Sequence, residues 1–448
     1  MDAQRPSEAA DSGPQAESAH DAALFSRITR RIMPLLLVAY TVAYLDRVNV
    51  GFAKFGMMSQ LHLSNAAYGL GAGIFFIGYF IFEVPSNVML HRIGAKIWIT
   101  RIMITWGIVS ALTVLATGPK SFYFLRFLLG AAEAGFFPGI LYYLSSWYPS
   151  RRLGGIVATF FMAAPASGLI GGPLSGTILE WAHLLPALHA WQWLLVLEAV
   201  PALLLGAVIY KLLPNDFDSV SWLRSTEKAY LRTQFPPAPV ESRGSVSAAI
   251  RRPALWLSAA IYFAFVLGLY GTGFWFPTIL RDAGVKDMAA LGFISAIPYA
   301  LSIVAMLVVG RRSDRKQERR WHIAIPGLLG ALGFLLYTVV GANPYLAIAS
   351  ISLSIISIMV ALPLFWTLPI PTMRGIDAAI GIAMINSLGN LAGFFGPYIV
   401  GLAKDSTHSI AGGMVVLGAS MLLGALLTLS PGMKREAAHD AVRAASQA

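Results

Sequence analysis

Apolar runs of about twenty residues recur along this chain, beginning with IMPLLLVAYTVAYLDRVNVGFA at 32–53. An α-helix rises about 1.5 Å per residue, so roughly 20 residues cross a hydrocarbon core about 30 Å thick. Hydrogen bonding inside each helix then satisfies the backbone where water is absent. Twelve spans are predicted, near 33–53, 67–89, 97–117, 121–144, 153–178, 191–213, 254–280, 288–310, 322–341, 345–369, 376–400 and 410–430. Only 12% of the residues are charged, about half the share in soluble domains. The absence of cysteine excludes disulfides and thiolate metal sites.

The net charge of +11 is unevenly placed. Arg92, Lys96, Arg101, Arg151, Arg152, the run RRSDRKQERR (311–320), Arg374, Lys434 and Arg435 fall in loops on one side, whereas the other side holds little more than Lys120, Arg281, Lys286 and Lys404. Basic loops stay cytoplasmic, so both termini are expected inside, and the charge calls for no nucleic acid. Residues 1–20, most of the segment 1–28, are polar and acidic and lack the basic n-region and apolar core of a signal peptide. That segment is expected to form a disordered cytoplasmic tail, followed by a six-helix half at 29–213, a cytoplasmic central loop at 214–252, a second six-helix half at 253–432 and a cytoplasmic tail at 433–448. The halves echo each other: GLIGGPLSG (168–176) resembles GFFGPYIVG (393–401), with Pro173 and Pro397 separated by 224 residues, half the chain. Such repeats commonly build transporters with a midplane site between the halves.

Three stretches carry a family resemblance: AYLDRVNVGFA (43–53), GYFIFEVPSNVMLHRIGAKIWITRIMITWG (78–107) and RFLLGAAEAGFFPGILYYLSSWYP (126–149). Their order and spacing resemble the anion:cation symporter branch of the major facilitator superfamily, most of all its tartrate, phthalate and sugar-acid permeases. The resemblance implies an all-α membrane protein, with twelve transmembrane helices in two pseudo-symmetric halves, in a bacterial inner membrane. In galactonate-type relatives, acids at the positions of Asp46 and Glu133 are implicated in proton coupling, and the base matching Arg47 in substrate binding. The loops HRIGAK and GRRSDRKQERR resemble the family's cytoplasmic gate, assigning Asn87, Arg92, Lys96, Asp314 and Arg315 to it. Asn87 departs from the pattern, since many relatives carry Asp there.

The charged residues inside the spans support a similar reading from chemistry alone. Asp46 and Arg47 lie about 12 Å along the helix from the far end of their span, and ionisable groups at such depth face a cavity or a partner. Arg126 and Glu133 are seven residues apart and share a helix face. They are expected to pair, with Gly130 between them leaving room for a ligand or another helix. Glu83 adds a third acid. Asp46, Glu83 and Glu133 against Arg47 and Arg126 give −1 when all are ionised and +1 once two acids take up protons, so a cavity they lined would attract an anion after protonation. Guanidinium suits this task because it grips a carboxylate with two parallel hydrogen bonds. The competing structural reading is a static salt-bridge network.

In the second half, the 224-residue offset carries Asp46, Arg126 and Glu133 to Tyr270, Ser350 and Ser357, and Ser350, Ser354 and Ser357 form one hydroxyl stripe. That half is expected to supply shape and neutral hydrogen bonds through Tyr270, Trp275, Ser357, Trp366, Asn386 and Asn390, facing Tyr44 and Tyr79. Helix packing is the plain alternative for each aromatic residue. No HExxH spacing, P-loop or local triad motif supports a metal site, ATP hydrolysis or an enzyme. The expected function is proton-coupled import of small organic carboxylates by a monomer needing no cofactor, with sodium left open as coupling ion. An anion exchanger or efflux carrier on the same fold, or a carboxylate sensor signalling through the central loop, are the alternatives.

Overall fold

The structure, a computed structural model, describes residues 19–182, 184–235, 251–369 and 375–431. Most of both expected tails, residues 236–250, Arg374, Lys434, Arg435 and the side chain of Arg151 lie outside this description. The described regular structure is entirely helical: α1 (Ala19–Val48), α2 (Val50–Gln60), α3 (Asn65–Ile93), α4 (Ala95–Leu112), α5 (Pro119–Glu133), α6 (Phe136–Ser145), α7 (Ser150–Phe161), α8 (Ala163–Ala182), α9 (Ala190–Leu212), α10 (Ser225–Gln234), α11 (Pro253–Gly273), α12 (Phe276–Asp282), α13 (Met288–Lys316), α14 (Arg320–Val340), α15 (Pro344–Phe365), α16 (Gly375–Asn390), α17 (Ala392–Thr407) and α18 (Ala411–Leu429). Among the described residues, eleven helical spans are long and apolar enough to cross a membrane. The twelfth is α16 with α17, divided at Leu391.

The first span departs most from expectation. Helix α1 starts at Ala19, inside the segment expected to be a tail, because Leu24, Phe25, Ile28 and Ile32 recur at helical spacing and are buried. Phe25 packs on Tyr148 at 6.1 Å, and the Tyr230 hydroxyl of α10 donates to Asp21 at 2.8 Å. Arg27 pairs with Glu227 of α10. The central segment is therefore more than a loop: α10 closes its own N-terminus through the Arg224 N–H, which donates to Glu227 at 2.8 Å, and fastens to α1.

The two halves meet through α8 against α13 and α3 against α17. These are spans five with eight and two with eleven, pairs that the internal repeat exchanges, so the contact is pseudo-two-fold. Small residues set its closeness. A Cβ at Gly176 would lie 3.0 Å from Gly292 Cα, and one at Gly73 would lie 3.0 Å from Phe394 Cα. The breaks in the spans follow the repeat only in part. Span one breaks at Asn49, which the offset carries to Gly273, beside the break at Phe274 and Trp275 in span seven. Span four breaks at Gly135, with φ of 84°, where a Cβ would meet the Ser86 side chain. Its equivalent, α15, runs unbroken. This asymmetry leaves Glu133 as the last residue of α5.

The end opposite the central segment is sealed across the halves. Asp405 accepts from the Asn65 and Ala66 N–H groups at 3.1 and 2.7 Å, the Tyr68 hydroxyl donates to Phe274 O at 3.2 Å, and Lys54 Nζ donates to Thr278 Oγ1 at 3.2 Å.

Candidate functional site

A space of about 570 Å³, part of it open to solvent, lies between the halves. Tyr40, Tyr44, Arg47 and Tyr79 line it from the first half, and Tyr262, Tyr270, Asn386 and Asn390 from the second. Arg47 is its cation, 5% exposed. Its Nη1 donates to the Tyr270 hydroxyl at 2.6 Å, its Nη2 pairs with Glu133, and its Nε has no hydrogen-bond partner. The rings of Phe75, Tyr79 and Tyr44 lie 5.3, 5.5 and 5.7 Å from the guanidinium carbon. This aromatic wall favours a cation while excluding water.

Asp46 and Arg47 do not pair with each other. Consecutive helical residues point about 100° apart, and Asp46 turns away from the cavity to accept from Trp106 Nε1 at 2.7 Å and from Ser110 Oγ and Asn49 Nδ2 at 3.3 Å each. Glu83 reaches across to the second half, accepting from Asn386 Nδ2 at 2.7 Å and from the Ser387 hydroxyl.

Several expectations are corrected. Arg126 does not pair with Glu133: about 10 Å of helix rise separates them, and Arg47 of the neighbouring helix takes the acid. The Arg126 guanidinium lies 5.1 Å from the Phe75 ring, with Nη2 weakly directed at Ala72 O at 3.4 Å, outside the cavity lining. Gly130 makes room for a helix and not a ligand, because a Cβ there would sit 3.0 Å from Tyr79 N on α3. The serine stripe faces α14: Ser354 donates to Gly330 O at 2.9 Å, and the Ser357 Cβ would be 3.2 Å from a Cβ at Gly330. Ser357 is therefore a packing residue away from the cavity. Trp275 belongs to the sealed end, with Nε1 donating to Pro397 O at 3.1 Å and its ring centroid 3.4 Å from Lys54 Nζ. Trp366 stands behind the wall, 5.0 Å from the Tyr262 ring.

The expected gate residues make no ion pair between the halves among the described residues. Asp314 pairs with Arg319 of its own half at 2.6 Å, Lys96 Nζ lies 5.4 Å from the Tyr210 ring, Asn87 is half-buried, and Arg92 and Arg315 are exposed. Besides Glu227 of α10, two buried charged residues lie outside the candidates the sequence offers. Lys54 stands one residue beyond the range predicted for its span, and Glu198 is the lone acid in the apolar run Ala190–Leu212, a signal that was there to be found.

Comparison with known proteins agrees with this architecture. Residues 36–397 match the model of the Major Facilitator Superfamily. NicT of Pseudomonas putida, named as a candidate metabolite transport protein, is 44% identical over 411 residues, covering 91% of this chain and 94% of that one. A candidate tartrate transporter of Agrobacterium vitis is 43% identical over 416 residues, covering 91% of each chain. The partially occluded, inward-open structure of the xylose transporter XylE from E. coli superposes with a TM-score of 0.69 at 15% identity, over 88% of this chain and 96% of that one, a likeness of fold. Matched across both halves and nearly end to end with its relatives, the chain belongs to the major facilitator superfamily, a family of multi-pass membrane transporters and not of enzymes.

Proposed function

We propose that this transporter imports small organic carboxylates with protons across a bacterial inner membrane, as a monomer with both termini in the cytoplasm. The observation that carries the reading is the cavity's guanidinium, Arg47, held by an acid, Glu133, that can be neutralised. A proton on Glu133 weakens its hold on Arg47 and frees a planar pair of donors for a substrate carboxylate. Loss of that proton restores the competitor and expels the anion. Arg47 also bonds Tyr270, and Glu83 bonds Asn386 and Ser387, so the groups proposed to carry charge also bridge the halves that must rock for alternating access. The basic loops support the cytoplasmic placement of the termini.

The lining refines the substrate class. Since the serine stripe faces α14, hydroxyl recognition falls to Asn386, Asn390 and the tyrosine hydroxyls. Those tyrosines also offer ring faces, so an acid of tartrate or phthalate size fits the lining chemistry. The relative named for tartrate supports the same class. The test is uptake of labelled L-tartrate and phthalate into proteoliposomes under an imposed inward proton gradient, with a sodium gradient as the paired condition. Concentrative uptake driven by protons supports the proposal. Uptake driven by sodium alone, or binding without flux, overturns it.

A further inference from the structure

Span six carries a carboxyl for which this cycle has no use. Glu198 of α9 is 1% exposed. Ser175 of α8 donates to its Oε1 at 2.6 Å, while Oε2 has no hydrogen-bond partner. No lysine or arginine pairs with it among the described residues. Asn49, at the break between α1 and α2, faces Glu198 and also donates to Asp46 Oδ1 at 3.3 Å, so one carboxamide stands between two buried acids. Asn49 and Ser175 both line a second cavity of about 390 Å³, together with Ser167, Ser295 and Tyr299. The Ser167 hydroxyl is wholly buried and unpartnered.

The surroundings define what Glu198 can hold. Asp46 on α1 is the charged group that faces it. From α4, Trp106 and Ser110 turn to Asp46; α8 offers Ser175, and Lys54 of α2 points to Thr278 and Trp275. Glu133 and Arg126 lie beyond Asp46. A buried carboxylate without a counter-charge costs several kcal/mol, so the site calls for a small cation. A metal ion would need a shell of several oxygens, whereas here a donating carboxamide separates the acids and one carboxyl oxygen is free.

We propose that Glu198 is a second intramembrane proton site, coupled to Asp46 across Asn49 and loaded from the second cavity. The step moves one proton between a cavity water and Oε2, and no other bond changes. Its place in the transport cycle rests on the proton-coupling reading, but the protonation itself does not.

The test is infrared titration of purified, substrate-free protein, following the C=O stretch of protonated carboxyl groups. Glu198→Gln, whose amide oxygen still accepts from Ser175, is expected to delete one titrating component. Asp46→Asn is expected to keep that component and move its midpoint to lower pH, since a neighbouring negative charge has gone. Ser175→Ala keeps the carboxyl and removes its donor, so the component should remain at a shifted frequency, a readout that survives if the glutamine variant fails to fold. A titrating spectrum unchanged by Glu198→Gln, or a midpoint unmoved by Asp46→Asn, overturns the proposal. The measurement needs no substrate or gradient, so its failure and that of carboxylate symport are separately visible.

Discussion

Replacing Glu133 by Gln tests whether this acid competes with the substrate for Arg47. The glutamine oxygen can still accept from Nη2, so the ring of contacts around Arg47 stays in place while the negative charge is lost. The bond to glutamine stays charge-assisted through the guanidinium; hydrogen bonds involving a charged group contribute about 1.5–3 kcal/mol, with two ionised partners at the top of that range and one at the bottom, so the internal competitor is weakened by about 1–1.5 kcal/mol. Each 1.4 kcal/mol is tenfold in affinity. The variant should therefore bind the better ligand of L-tartrate and phthalate roughly five- to tenfold more tightly at neutral pH, with a flattened pH dependence. Binding is read by scintillation proximity on purified protein. The paired proteoliposome assays should show retained counterflow and lost concentrative uptake under a proton gradient. Binding weakened tenfold, or a pH dependence like that of the unaltered protein, would refute the competition and leave Glu133 as a structural anchor for Arg47.

Arg47→Lys keeps the charge but cannot reach Glu133 and Tyr270 with a planar fork, so it should weaken carboxylate binding by roughly ten- to a hundredfold in the same assay; near-normal affinity removes Arg47 from the substrate site. Ser357→Ala should leave the ranking of acids in a competition assay unchanged, whereas Tyr270→Phe and Asn390→Ala should reorder it, because only the latter two line the cavity; a reordering by Ser357→Ala contradicts the packing role. Burial alone would raise the Glu227 carboxyl, but the Arg224 N–H and the Arg27 guanidinium outweigh it and hold it below the usual carboxylate range. A depressed acid stabilises the fold above its unfolded value, about pH 4.3, and loses that contribution as pH falls through the folded value. The protection of the α10 amides, taken relative to the intrinsic exchange rate at each pH, should thus hold through mild acid and fall only below about pH 4. Protection that falls already near neutral pH rules out this linkage.

Span positions were legible because each depends on one local property, a run of apolar residues long enough for the bilayer. Depth was legible for the same reason: Asp46, Arg47, Glu83, Arg126 and Glu133 were recognised as buried from their place within the runs. Pairing was not, because it depends on how helices rotate against each other. The seven-residue spacing correctly puts Arg126 and Glu133 on one face, yet that spacing is silent about a guanidinium arriving from α1. The period of Ser350, Ser354 and Ser357 likewise gives one face without naming its neighbour. Glycines at 330 and 333 on α14 make that neighbour a helix, since a Cβ at Gly333 would stand 3.0 Å from Ser354 N. The early start of α1 escaped notice because its apolar residues are interleaved with arginines.

The way charge is divided between the halves bears on how such a protein can move. The ion pair Arg47 with Glu133 lies wholly within the first half and travels with it. Its links to the second half run to neutral partners: Arg47 to Tyr270, Glu83 to Asn386 and Ser387, Lys54 to Thr278. Parting a buried ion pair leaves an uncompensated charge and costs about 3–5 kcal/mol, whereas a hydrogen bond between a charged and a neutral group contributes about 1.5–3. Keeping opposite charges on one rigid body therefore lets the halves separate at hydrogen-bond cost, with no counter-charge stranded on the other side. The internal repeat makes this division available, because the second-half equivalent of Asp46 is Tyr270, a neutral residue that accepts from Arg47. In the proposed cycle, a proton that changes the Arg47–Glu133 pair alters a contact between the halves through Tyr270, so a chemical event inside one half would bias the rocking of both.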